Sequence, residues 1–269
     1  MPSLVCTHYP DSRLSTYQMT TNQLQHLIHY YFGRLATRYP GLIRWWAERL
    51  SLEQFKGLPL TLLAGLLVIN VLILSEIAEN LINSEPMIYV DQGFTHWLFQ
   101  GRSTSVSRTF YALTWLGSGY VTVSFTLLGS FVLYRQKKRR NILILWILMA
   151  GVGLFVQVGK RTFIRQRPVA VAYYPETGYS FPSGHSATAM TLYGLLGYWL
   201  VRGRRRIRSR WLVGFCALGL ILLVGFSRIY LGVHFLSDVL GGYLLGACWL
   251  IVGIVLTEWR RTNHLAKET

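Results

Sequence analysis

Between Lys56 and Glu76 the chain reads "GLPLTLLAGLLVINVLILS", with no charged side chain. A helix of that length crosses the ~30 Å hydrocarbon core of a bilayer, where a backbone satisfies its polar groups only as a helix or a closed barrel. Comparable runs recur along the chain. The reading is therefore all-α, a polytopic membrane protein with a six-transmembrane-helix bundle at 58–75, 110–134, 141–158, 185–201, 211–227 and 235–257. Composition agrees, since 52% hydrophobic residues in a 269-residue chain exceed what one water-soluble core of this size needs.

Charge sets the direction of the spans. Lys and Arg number 27 against 11 Asp and Glu, a formal +16. The basic residues collect in "LYRQKKRR" (133–140), "RGRRRIRSR" (202–210) and "EWRR" (258–261), all on one side if six spans are counted. The positive-inside bias makes that side cytoplasmic, together with Arg34, Arg38, Arg44, Arg49 and Lys56. Both termini are then cytoplasmic. Because spans separate the clusters, they make a poor nucleic-acid surface, and no nucleic-acid partner is expected. Residues 1–57 lack the order of a cleaved signal peptide and carry helical periodicity interrupted near Pro40. They read as N-terminal amphipathic helices on the inner membrane surface, with a partner-binding arm as the alternative. The membrane domain is 58–257 and the tail 258–269. Cys6, Cys216 and Cys248 are isolated and imply no disulfide framework.

The opposite, outer face receives residues 76–109, 159–184 and 228–234. The first connection suits a short interfacial helix around 88–99. A mere connector and a catalytic segment are both open to it, and His96 beside Trp97 is a weak sign of chemistry. The second carries Lys160, Arg161, Arg165 and Arg167 with Glu176 as its one acid. So many cations in a translocated loop oppose the orientation rule and call for an anion, unless they snorkel to headgroups. The third adds Ser227, Arg228, His234 and Asp238. Four residues apart on a helix, His234 and Asp238 share a face, so the acid can hold one imidazole nitrogen and leave the other its lone pair. A purely structural polar pair remains open. His185 with Asp238 and His234 raises a metal, but Lys160, Arg167 and Arg228 would repel a cation, and their donors suit a tetrahedral oxyanion.

Three elements now stand in order: Lys160, six residues, Arg167 and Pro168; Pro182, Ser183, Gly184 and His185; Ser227, Arg228, five residues, His234, three residues and Asp238. Together they resemble the signature of the type 2 phosphatidic acid phosphatase (PAP2) superfamily, over the chain from span three to the start of span six. The resemblance implies a helical bundle with a phosphate pocket at the outer leaflet. His234 would be the nucleophile that forms a phosphohistidine, Asp238 its orienting acid and His185 the proton donor to the leaving oxygen. Lys160, Arg167 and Arg228 would hold the non-bridging oxygens, with Ser183 and the Gly184 amide helping. No metal or other cofactor is implied. In-line transfer agrees with that division, because one histidine cannot stand on both sides of phosphorus.

A pocket at the membrane boundary suits a lipid phosphate as substrate: undecaprenyl pyrophosphate, phosphatidic acid or phosphatidylglycerol phosphate. The family leans toward undecaprenyl pyrophosphate, hence toward cell-wall lipid recycling in a bacterial inner membrane with the site facing the periplasm. Rivals are a lipid A phosphatase or a lipid-to-lipid phosphotransferase and, from another class, a non-catalytic transporter. Gly151, Gly153, Gly242 and Gly246 make room for close helix packing, by default within one molecule, and the oligomeric state is open.

Overall fold

The structure is a computed structural model and describes residues 30, 38–50, 55, 57–83 and 85–268. Its helices are α1 (Pro40–Leu50), α2 (Leu58–Asn83), α3 (Glu85–Gln100), α4 (Thr104–Thr114), α5 (Gly119–Arg135), α6 (Arg139–Phe163), α7 (Gly184–Arg202), α8 (Ile207–Tyr230) and α9 (Leu236–Glu268). One-turn 3₁₀ helices occupy Trp115–Gly117 and Val169–Val171. Gly65–Arg261 form one compact unit, and α1 with the first turns of α2 belongs to another.

Among the described residues, four helices are long and apolar enough to cross a membrane: Leu58–Asn83, Arg139–Phe163, Ile207–Tyr230 and Leu236–Trp259. A fifth crossing exists if the pair α4 and α5 is one broken span, bent by 48°. Length and composition alone thus support four or five of the six expected crossings, and two of the expected runs differ from the rest. The run read as 110–134 is interrupted at Trp115–Gly117, after which Ser118 accepts a bond from Val121 N and opens α5 as its N-cap. A local signal existed in "GSG" at 117–119, a glycine-flanked serine inside an apolar run. The run at 185–201 is a helix, α7, but it does not join the helices that are long and apolar enough on their own. Its buried positions include Ser186, Thr191 and Gly197, and it packs against α6 and α8. A helix wrapped by other helices touches protein on most sides and has no need of a lipid-compatible surface. The opposite case is α2, which exposes Leu62, Leu66, Val68, Ile69, Leu72 and Ile73.

The core lies among α5 to α8, where Leu145, Leu148, Leu192 and Leu195 are fully buried. Glycines bring α9 against α7. A Cβ on Gly242 would meet Ser183 O at 2.5 Å, and one on Gly246 would meet Ala187 O at 2.5 Å. Gly151 admits the Trp249 ring in the same way, whereas Gly153 has open space around it. The helix expected around 88–99 is present as α3. Of the expected N-terminal amphipathic helices only α1 falls among the described residues; it exposes Leu42, Trp45 and Trp46. The helix α9 continues through the expected tail to Glu268.

Candidate active site

Two chain reversals and a bend meet at one end of the bundle: α6 into α7, α8 into α9, and the turn between α4 and α5. In the second of these, His234 is 1% exposed and sits just before α9. Its Nε2 lies 3.1 Å from Arg167 Nη1 and its Nδ1 3.4 Å from Asp238 Oδ2. A guanidinium can only donate, so Nε2 is the acceptor, and Nδ1 carries the proton toward the carboxylate. The lone pair is thereby on the nitrogen facing Arg167. Burial, then Arg228 and Arg167, hold this imidazole well below the usual histidine range, so it is neutral near pH 7.

Asp238, fully buried, has four partners. Oδ2 also accepts from Phe235 N at 2.9 Å, closing half a capping box at the start of α9. Oδ1 accepts from Arg165 Nη1 at 2.5 Å and from Ser180 Oγ at 3.4 Å. Arg165 also pairs with Asp91 Oδ2 at 2.6 Å and lies over the Phe235 ring, 4.5 Å from its centroid. The opposing acids of the cationic loop therefore come partly from α3, 74 residues away in sequence from Arg165. Neither the Asp91 contact nor the pairing of Arg165 with Asp238 has a local sequence pattern to betray it.

Arg228 is 1% exposed. Its Nη1 donates to Thr114 Oγ1 at 2.9 Å and to Tyr174 OH at 2.5 Å, and its Nη2 pairs with Glu176 Oε2. Glu176 Oε1 lies 3.5 Å from Arg167 Nη2. Burial alone would raise this carboxyl, but the Arg228 and Arg167 guanidiniums outweigh it and hold it below the usual range. Arg228 Nε is a buried nitrogen with no hydrogen-bond partner among the described residues. A buried, unpaired donor beside a carboxylate that bridges two guanidiniums marks a place built for an anion.

His185 stands in the first turn of α7 and lines a cavity of about 230 Å³ with Tyr111, Thr114, Tyr174, Glu176 and Arg228. A Cβ on Gly117 would lie 3.0 Å from His185 Cβ, so the bend between α4 and α5 seats the ring. Arg228, His234, Lys160 and Arg167 are its principal electrostatic neighbours. Lys160 closes α6, half-buried. Ser183 is the N-cap of α7, its Oγ accepting from Ser186 Oγ at 3.0 Å, and its amide donates to Asp238 O at 2.9 Å. A Cβ on Gly184 would meet Val156 at 3.4 Å, so α6 bounds this glycine as well. The residues singled out from sequence thus converge, while His96 pairs with Gln100 on α3 at 3.0 Å. No group of three or more potential metal ligands occurs among the described residues.

Residues 141–262 match the PAP2 superfamily. Phosphatidylglycerophosphatase B of Bacillus subtilis (strain 168) is 33% identical over 147 residues, covering 54% of this chain and 72% of that protein. The chain belongs to the PAP2 superfamily. A PAP2-type hydrolase acts on phosphate or pyrophosphate esters, and this one is built of membrane-length apolar helices. It is also similar to the undecaprenyl-diphosphatase of Sulfolobus acidocaldarius, at 32% identity over 108 residues, 39% of this chain and 46% of that protein. Among solved structures, the transmembrane PAP2 type phosphatidylglycerolphosphate phosphatase from Bacillus subtilis aligns with a TM-score of 0.66 and 27% identity. That alignment covers 72% of this chain and 96% of the other. The family match begins in α6, so α2 to α5 and Asp91 lie outside it.

Proposed function

We propose that this PAP2 hydrolase is a lipid phosphatase that removes a terminal phosphate through a phosphohistidine on His234. The observation that carries the reading is the lone pair of His234 Nε2 beside two guanidiniums that already grip a carboxylate. Substrate phosphate exchanges with Glu176 on Arg228 and Arg167, and Lys160 and the start of α7 complete the cradle. Bound phosphate favours the imidazolium form of His185, which takes up its proton from water. Nε2 then forms a bond to phosphorus as the bond from phosphorus to the lipid oxygen breaks, and that oxygen takes the imidazolium proton of His185. The ring keeps its Nδ1 proton and becomes a cation facing Asp238. Water next attacks phosphorus, giving a proton to His185 and its oxygen to phosphate, and the electron pair of the N–P bond returns to Nε2. No step calls for a metal.

Phosphatidylglycerol phosphate is the first substrate to try, supported by two similar phosphatidylglycerophosphatases B, from Bacillus subtilis and Haemophilus influenzae. Undecaprenyl pyrophosphate and phosphatidic acid present the same phosphate at the same depth. The aromatic side chains Tyr111, Trp115, Tyr120 and Tyr174 around the cavity suit a headgroup at the membrane boundary. The proposed orientation keeps the basic turns 133–140 and 202–210 in the cytoplasm and the site outside.

Phosphate release by the detergent-solubilised chain from these three lipids and lipid A, with a chelator present, tests the reading. Release that stops in chelator contradicts the metal-free route, and His234→Ala must abolish turnover while still binding orthophosphate. Following labelled phosphate into an acceptor lipid separates a phosphotransferase from a hydrolase. A cysteine at Pro175 should react with an impermeant reagent on intact cells; reaction only after disruption inverts the orientation.

A further inference from the structure

Asp91 belongs to none of the three signature elements, yet its carboxylate is 1% exposed and fully engaged. Oδ1 accepts from Ser237 N at 3.0 Å, and Oδ2 accepts from Ser237 Oγ and pairs with Arg165 Nη2 at 2.6 Å. Arg165 Nη1 reaches Asp238 Oδ1 at 2.5 Å, and Asp238 Oδ2 faces His234 Nδ1. A continuous ionic chain therefore runs from α3 to the imidazole. Arg165 and Asp238 alone would cancel. With Asp91 the three carry one net negative charge, next to a ring that turns cationic when Nε2 is phosphorylated.

The other charged or titratable groups around that ring are Arg228 from α8, Lys160 from α6, His185 from α7, and Arg167 and Glu176 from the loop before α7. Three of these are cations, and Glu176 is the carboxylate that substrate phosphate displaces. Once phosphate is bound, the negative charge that does not move with substrate is that of Asp91 and Asp238. We propose that Asp91 is a positioning residue for His234: it clamps Arg165 against Asp238 and supplies the uncancelled negative charge that stabilises the phosphorylated ring. The inference rests on His234 being the nucleophile.

A helix cap alone would also explain the Ser237 contacts, since the amides of the first turn of α9 need acceptors. Asp91→Asn separates the two, because it keeps an acceptor for Ser237 N and removes the charge. With phosphatidylglycerol phosphate in detergent, kcat should fall about 10- to 100-fold, the size typical of outer-shell partners of a functional histidine, with KM within about 2-fold. The acidic limb of kcat/KM should move to lower pH, because the imidazole has lost a negative neighbour. Asp91→Glu should restore part of kcat. Should Asp91→Asn not fold, Arg165→Lys, which keeps the charge and loses the fork between the two carboxylates, should lower kcat with KM kept. An unchanged kcat in folded Asp91→Asn or Arg165→Lys overturns the proposal. So does a limb displaced upward toward the free-histidine value, the sign of a loosened and wetted site. An inactive His234→Ala beside a fully active Asp91→Asn breaks this inference alone, whereas an active His234→Ala breaks the reading beneath it.

Discussion

Two ionic clusters flank His234, and they are built for opposite ends. On the Nδ1 side, Asp91, Arg165 and Asp238 saturate one another, and both carboxylates are at most 1% exposed. On the Nε2 side, Arg167 and Arg228 hold Glu176, whose side chain is 23% exposed, and Arg228 Nε is left over. The first cluster has internal partners for every charge and is permanent. The second borrows a carboxylate from a loop and has a donor to spare, as the proposed exchange of one anion for another requires. A buried pair broken on one side strands a charge, so substitutions in the first cluster should act on chemistry, and substitutions in the second on both chemistry and binding.

The largest break should come from Asp238→Asn. An amide can donate to Nδ1, which favours the wrong tautomer and moves the proton onto Nε2, and turnover should drop by about 10³- to 10⁴-fold as in other carboxylate–histidine pairs. Single-turnover phosphate release with KM in parallel would show it; a mild effect would mean that Arg167 alone sets the tautomer. Next is Arg228→Ala, for which kcat/KM should fall about 10²- to 10³-fold, the cost of losing a donor to the developing charge. Orthophosphate should also inhibit this variant less, and unchanged inhibition would put the anion elsewhere.

Glu176→Gln sharpens the contrast from the other direction. Removing the resident carboxylate should tighten orthophosphate inhibition by about 3- to 10-fold, a change of ~1 kcal/mol; weaker inhibition would make Glu176 part of the cradle rather than its occupant. The smallest effect is in pH. His234 is held below its ordinary value of 6.5, so the ring stays neutral as pH falls through 6.5. The acidic limb of kcat/KM should therefore lie below pH 6.5, and a limb above it would contradict a desolvated imidazole. Glu176, held below the usual carboxylate range, stays charged across that window and continues to compete.

Much of this was legible in the chain, for reasons that differ by residue. Helices α2, α6, α8 and α9 announce themselves because lipid demands long runs without charge. The expectation of one helical face pairs His234 with Asp238; the helix starts only at Leu236, and the turn into α9 brings the imidazole to the carboxylate instead. The bend at Trp115–Gly117 went unread because three residues barely disturb an apolar average. Asp91 was hidden for a different reason: its partner Ser237 is 146 residues away, and only the packing of α3 over the end of α9 joins them. Glu176 was visible as the loop's lone acid, but its seat on Arg228 depends on a reversal of chain that no spacing encodes.

Gly242 illustrates how far the site's geometry reaches into apolar territory. Its bare Cα lets α9 lie directly on the carbonyl of Ser183, so the proposed phosphate cradle inherits its position from the spacing of two helices. A mutational map of the chain should then place inactivating changes in two populations, the charged residues at the mouth and a stripe of hydrogen atoms along α9 where a single methyl group would do the same damage without touching substrate.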